Sequence, residues 1–153
     1  MSSTFSQIYI QIVLAVRNRE CVIHPSWAEE LYKYITGIVK NKDQQLLAIN
    51  GMPDHIHFLI RIRPSCSLSD LMREVKKSTN EYINERKFLK HKFYWQEGYG
   101  AFSYSQYEVD KIINYINNQK IHHLKTSFKA EYLSLLHDFQ IGFKDEYLFE
   151  WIE

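Results

Sequence analysis

From Ile8 to Val16 the chain alternates two sets of side chains, Ile8, Ile10, Ile12, Leu14 and Val16 against Tyr9, Gln11, Val13 and Ala15. A period of two with one strongly apolar side predicts a strand. Ser26-Trp27-Ala28-Glu29 has capping-box spacing, and the helix expected after it carries Leu31, Tyr34, Ile35, Ile38 and Val39 on one side. Gln45 to Ile49 predicts a short second strand, the turn chemistry of Gly51-Met52-Pro53-Asp54 follows, and a third strand is expected from His55 to Arg63. Pro64 stops that strand, and Ser67 with Asp70 opens a long helix through about Leu89, with Leu68, Leu71, Met72, Val75, Tyr82 and Ile83 apolar. A fourth strand falls within Phe93 to Tyr104, and Ser105-Gln106-Tyr107-Glu108 starts a helix expected to bury Val109, Ile112, Ile113, Ile116 and Ile121. A last helix is expected over Ser127 to Phe139, with Phe128, Tyr132, Leu135, Leu136 and Phe139 as its apolar side; the aromatic end, Tyr147 to Ile152, is expected to dock on this chain or on a partner. The order β-α-β-β-α-β followed by two helices predicts an α+β, ferredoxin-like (RRM-like) fold: an antiparallel sheet with helices on one face, plus C-terminal helices. The other face is free to carry a site. Such folds host many functions, so function has to be read from residues.

On that free face the segment Asp54-His55-Ile56-His57-Phe58-Leu59-Ile60 is the sharpest feature. Alternation projects His55 and His57 to one side and Ile56, Phe58, Ile60 and Ile62 into the core. Two imidazoles at i and i+2 on a rigid strand can reach one metal ion. Taken alone, an H-x-H pair is more often two solvated histidines. Downstream, Tyr115 and Gln119 stand four apart beside the apolar stripe of the penultimate helix, hence on one helix face. By itself that pair reads as packing beside a solvated amide. His122 projects near Tyr115 and reads as part of a solvated helix end.

Together these segments resemble the single-tyrosine HUH transposases of the smallest bacterial insertion sequences and their relatives associated with repeated palindromes. The resemblance rests on His55-Ile56-His57, on Gly51-Met52-Pro53-Asp54 before them, on the stretch Trp95 to Ser103, and on Tyr115 with Gln119 in that order and spacing. It implies that His55 and His57 are metal ligands, Tyr115 is the catalytic nucleophile and Gln119 is the third protein ligand. The implied activity is cleavage and rejoining of single-stranded DNA at hairpin-bearing ends, through a 5′-phosphotyrosine and without ATP. The resemblance also implies a Mg2+ or Mn2+ cofactor and a homodimer in which the tyrosine helix can complete the partner's histidine pair. From ligand chemistry alone, two nitrogen donors suit manganese or zinc better than magnesium.

Composition narrows the picture further. A chain of 153 residues that is 45% hydrophobic, with 5 glycines and 3 prolines, suits one domain over residues 1–153, with 127–153 a C-terminal helical extension. No apolar run spans a bilayer and the N-terminus carries no secretion-signal pattern, so a bacterial cytoplasmic, nucleoid-associated protein with no membrane partner is expected. Cys21 and Cys66 lack metal-ligand spacing and read as reduced thiols. No G-x-x-x-x-G-K-[ST] loop appears, so no nucleotide cofactor is expected. Net charge is +1, yet from Arg61 to Lys92 nine Lys/Arg face four Asp/Glu, and from Ser127 onward two face six. A basic middle fits a polyanion, and Arg61, Arg63, Arg73, Lys76 and Lys77 are the candidate DNA-binding residues. Three rivals stay open: a domesticated transposase acting on palindromes of its host, a two-histidine phosphoesterase, and a non-catalytic nucleic-acid-binding module. The phosphoesterase is disfavoured because it wants two H-x-[ST] motifs and the chain has only His24-Pro25-Ser26.

Overall fold

A computed structural model of the chain describes residues 3–144. Four strands, β1 (Tyr9–Ala15), β2 (Gln45–Met52), β3 (His55–Arg61) and β4 (Gly100–Tyr104), form one sheet in the order β2-β3-β1-β4. Every neighbouring pair is antiparallel. Helices α1 (Pro25–Asn41) and α2 (Leu68–Arg86) pack on one face. The core there joins Ile12, Leu14, Ile56, Phe58 and Ile60 from the strands to Leu31, Ile35, Leu71, Met72 and Val75 from the helices. This is the expected α+β arrangement.

The second face is not open. Helices α3 (Val109–Asn117), α4 (Gln119–His122) and α5 (Phe128–Asp138) cover it. Val109, Ile112 and Ile116 pack on Tyr9, Ala48 and Leu59. Phe128, Tyr132 and Leu136 pack on Val13, Ala15 and Phe102. The cause lies in β1 and β4, whose second face offers Tyr9, Val13, Ala15 and Phe102, too much apolar surface to leave in water. Gly100 makes room for this cover: a methyl group placed there would come within 2.7 Å of the Tyr132 hydroxyl.

Element boundaries differ from expectation where backbone pairing outweighs side-chain pattern. Helix α1 begins at Pro25 with His24 as its uncapped N-cap, so the Ser26–Glu29 capping box does not form; proline at the first helical position is already set for helix. Strand β2 runs on to Met52 because Asn50, Gly51 and Met52 pair with His57, Ile56 and His55. Strand β3 stops at Arg61, and α2 stops at Arg86, where Lys87 turns left-handed (φ 54°). Ser67 caps α2 through the Asp70 N–H, and the Ser105–Glu108 capping box forms. Asn118 (φ −102°, ψ 21°) bends the chain between α3 and α4, and Ile121, expected in the core, is 60% exposed. The segment Tyr147 to Ile152 lies outside the described residues. Among the described residues no helix is long and apolar enough to cross a membrane.

Candidate metal and tyrosine site

His55 and His57 leave β3 on the face that α3–α5 cover, and both are fully buried. Each imidazole is held from behind. His55 Nδ1 lies 2.7 Å from Asp54 Oδ1, and His57 Nδ1 lies 2.8 Å from Gln11 Oε1. Because both partners are acceptor oxygens, each Nδ1 donates to the residue behind it and each Nε2 is directed forward, His55 Nε2 as a lone pair and His57 Nε2 toward Glu131. Gln11 is itself fixed, donating to the Tyr104 hydroxyl at 2.8 Å. Asp54 is clamped by the buried Arg19 guanidinium, whose Nε donates to Oδ2 at 2.9 Å. Arg19 reaches it from a left-handed backbone (φ 55°), a conformation that a non-glycine residue adopts at a cost. Burial would raise the Asp54 carboxyl, but the hydrogen bonds from His55 and Arg19 outweigh it and hold the group at about 2. Burial pushes the His55 imidazole down to about 4, against the pull of Asp54, so this ring is neutral near pH 7.

The tyrosine arrives from the opposite layer. Ile112 and Ile116 anchor α3 on the sheet, which turns Tyr115 toward β3, its ring centroid 5.9 Å from that of His57. The bend at Asn118 keeps Gln119 on the same side, fully buried. What joins these groups is Glu131, on the buried side of α5 and 4% exposed. Its Oε1 lies 2.9 Å from His57 Nε2, 3.3 Å from His123 Nε2 and 3.7 Å from His55 Nε2. Its Oε2 accepts from the Tyr115 hydroxyl and from Gln119 Nε2 (3.3 Å), with His122 Nε2 3.1 Å away. Burial would raise the Glu131 carboxyl, but hydrogen bonds from His123 and His57 hold it well below the usual carboxylate range. Burial, and then the Glu131 charge, push the Tyr115 phenol well above its ordinary value.

The donor chemistry fits a divalent cation. His55 Nε2 is buried and has no hydrogen-bond partner. Ligand atoms of His55, His57, His123 and Glu131 all lie within 4.8 Å of one another. An orphaned lone pair facing a buried carboxylate is costly unless a positive charge sits between them. A cleft of about 630 Å³ opens beside these residues, with Tyr115, His122, Glu131, Lys111 and Tyr104 on its wall.

Of the residues singled out in the sequence, His55, His57, Tyr115 and Gln119 come together. His122, expected in a solvated helix end, instead joins the cluster with its side chain 32% exposed. The basic candidates do not come together with it. Arg61 ends β3, six positions or roughly 20 Å along the strand from His55. Arg63, Arg73 and Lys77 line a separate cleft of about 540 Å³ beside α2, on the other side of the sheet. Lys76 is engaged, donating to Gln96 O at 2.8 Å and Gly98 O at 2.7 Å. Glu131, Gln11, Asp54 and His123 escaped the sequence reading. The signal for Glu131 was present, because positions 128, 131, 132 and 136 share one helical stripe.

No curated protein sequence matches the chain. Among solved structures, a putative transposase from Deinococcus radiodurans R1 superposes with a TM-score of 0.64 at 21% identity, over 78% of this chain and 95% of that one. A REP-associated tyrosine transposase bound to a REP hairpin superposes with a TM-score of 0.60 at 18% identity, over 80% of this chain and 74% of that one. At these identities the likeness is one of fold. The family model "Transposase IS200 like" matches residues 4–119, a span that runs from before β1 through His55, His57 and Tyr115 to Gln119, and the chain belongs to the IS200-like transposases.

Proposed function

We propose that this transposase cleaves and rejoins single-stranded DNA through a 5′-phosphotyrosine on Tyr115, with a divalent ion held by His55 and His57. One observation carries the reading: the Tyr115 hydroxyl and the His57 imidazole, from opposite layers of one chain, meet the same buried Glu131 carboxylate. Gln119, the further ligand implied by the resemblance, stands beside them.

Tyr115 Oη attacks the scissile phosphorus in line, the P–O3′ bond breaks, and the 3′ oxygen leaves as a hydroxyl after taking a proton from solvent. As the Oη–P bond forms, the phenolic oxygen becomes far more acidic, and its proton passes to Glu131 Oε2, to which it is already hydrogen-bonded. A bound divalent ion would draw charge from a non-bridging phosphate oxygen and offset the Glu131 charge that keeps the phenol protonated. Asp54 and Gln11 hold the imidazoles in the ligating tautomer. A second 3′-hydroxyl reverses the attack and rejoins DNA, so no nucleotide triphosphate is consumed. The cleft beside Tyr115 is proposed to take the single strand, and Arg61, Arg63, Arg73, Lys76 and Lys77 the phosphates of the flanking hairpin. A homodimer would then carry two sites, each built within one chain, in the bacterial cytoplasm at the nucleoid.

The structure with a bound REP hairpin favours hairpin DNA as the substrate class. A domesticated transposase acting on palindromes would use the same residues. The test is incubation with hairpin-bearing single strands and Mn2+ or Mg2+, followed by a denaturing gel. A covalent adduct is expected with the parent protein, and none with Tyr115→Phe or with a chelator present. Undiminished adduct in Tyr115→Phe would move the nucleophile elsewhere and overturn the assignment.

A further inference from the structure

The resemblance gives the place beside the two histidines to Gln119. The geometry points to a different residue. We propose that Glu131, from α5, is the third protein ligand, so that His55, His57 and Glu131 form a two-histidine, one-carboxylate metal site, while Gln119 and His123 position the carboxylate. The inference rests on the reading of His55 and His57 as metal ligands.

His55 and His57 each donate Nδ1–H to an acceptor oxygen, which directs both Nε2 atoms forward to one point. Both Nε2 atoms face Glu131 Oε1, that of His55 at 3.7 Å with no hydrogen-bond partner and that of His57 at hydrogen-bond distance, 2.9 Å. Two imidazole nitrogens and a buried carboxylate oxygen thus converge with the His55 Nε2 lone pair unsatisfied, an arrangement that is costly in a buried space and that a cation bound by all three would satisfy. Their spacing suits one: ligand atoms about 2.0–2.1 Å from a common ion stand roughly 3.3 Å apart in a tetrahedral arrangement. Both ends of the Gln119 amide are engaged by other side chains. Its Oε1 lies 3.1 Å from His123 Nε2, and its amide nitrogen donates to Glu131 Oε2. His123 Nε2, 3.3 Å from Glu131 Oε1, holds the carboxylate rather than the ion. Gln119 and His123 therefore fix the direction in which Glu131 points.

The two carboxylate oxygens have separate surroundings. Oε1 faces the imidazoles, and Oε2 faces the tyrosine. One residue thus couples the cation to the nucleophile. Such a donor set leaves coordination positions open for a phosphate oxygen and water. It suits Mn2+, Fe2+ or Co2+ better than Mg2+, which prefers oxygen ligands.

The test is Mn2+ binding by the full chain without DNA, read from the electron paramagnetic resonance signal of free Mn2+, with melting temperatures of the metal-free proteins alongside. Glu131→Gln is expected to weaken Mn2+ binding at least about 10-fold. Gln119→Ala is expected to weaken it less, and Mg2+ is expected to compete poorly. The glutamine side chain keeps the size of the carboxylate and offers N–H and carbonyl groups to the same partners, so metal-free Glu131→Gln is expected to stay folded with a cooperative melting transition. Parent-like Mn2+ affinity in Glu131→Gln overturns the proposal whatever its melting temperature, and so does a greater loss in Gln119→Ala. The double variant His55→Ala/His57→Ala separates the two levels. If it binds Mn2+ like the parent, the histidine reading itself falls. If it loses binding while Glu131→Gln keeps it, only the carboxylate assignment falls.

Discussion

Asp54 serves two partners at once: one oxygen fixes the His55 ring and the other receives the buried Arg19 guanidinium. Removing it takes these hydrogen bonds from the buried guanidinium and lets the imidazole turn. Losing hydrogen bonds to a charged group costs about 1.5–3 kcal/mol, and loss of a partner behind a metal-binding histidine lowers metal affinity about 10–100-fold. Asp54→Ala is therefore expected to lose both, by urea denaturation and by Mn2+ titration; a stability loss under about 1 kcal/mol would mean that Arg19 behaves as a surface charge. Individual residues differed in how readily they could be read. His55 and His57 were legible because strand alternation separates them from Ile56 and Phe58 without knowledge of any other element. Gln11 sits on the neighbouring strand, opposite Leu59, and nothing in one strand's pattern names the side chain behind a ring on the next. Glu131 is hard to single out from sequence because a carboxylate on an amphipathic helix is ordinarily solvated. Its place on the apolar stripe, between Phe128 and Tyr132, was the contrary sign.

At the scale of elements, the proposed nucleophile Tyr115 is only as well placed as α3. Ile116 is fully buried against the cluster of Tyr9, Ala48 and Leu59, and its neighbour Tyr115 takes its direction from that anchor. Ile116→Ala leaves a cavity there, at an expected cost of about 2–5 kcal/mol. A misplacement of about 1 Å at a reacting group can cost on the order of 100-fold in rate. The expected outcome is slower adduct formation per folded molecule than the stability loss alone produces, checked by single-turnover assays well below the melting temperature; a parent-like rate would mean that Glu131 alone holds the hydroxyl. Helix positions were legible from periodicity, whereas the layer each helix joins was not. Helices α3 and α5 show apolar stripes like those of α1 and α2, and a stripe does not say which sheet face it covers. The second face mixes Gln11, His55 and His57 with Tyr9, Val13, Ala15 and Phe102, so it read as open where it is shared between a polar site and a packed cover.

Across the whole molecule, charge and chemistry lie on different sides of the sheet. The proposed metal and tyrosine site opens into a cleft with Lys111 on its wall, while Arg63, Arg73 and Lys77 surround another cleft beside α2. Net charge of +1 gives little general attraction to DNA, so local clusters have to supply it. Asp70 pairs with Arg73 in the α2 cleft, which leaves Arg63 and Lys77 as the better phosphate partners. If hairpin phosphates bind there, Arg63→Ala/Lys77→Ala should remove two contacts far from the chemistry. The slope of log affinity against log salt is then expected to become shallower by roughly 1.8 for a duplex stem, at about 0.9 per phosphate. Adduct formation with a saturating single strand that lacks the hairpin should stay at the parent level, because that strand reaches Tyr115 through the other cleft. Binding measured between low and moderate salt, with and without the hairpin, separates the two surfaces. An unchanged slope with the hairpin present would place its phosphates elsewhere, with Lys111 the next cation to replace.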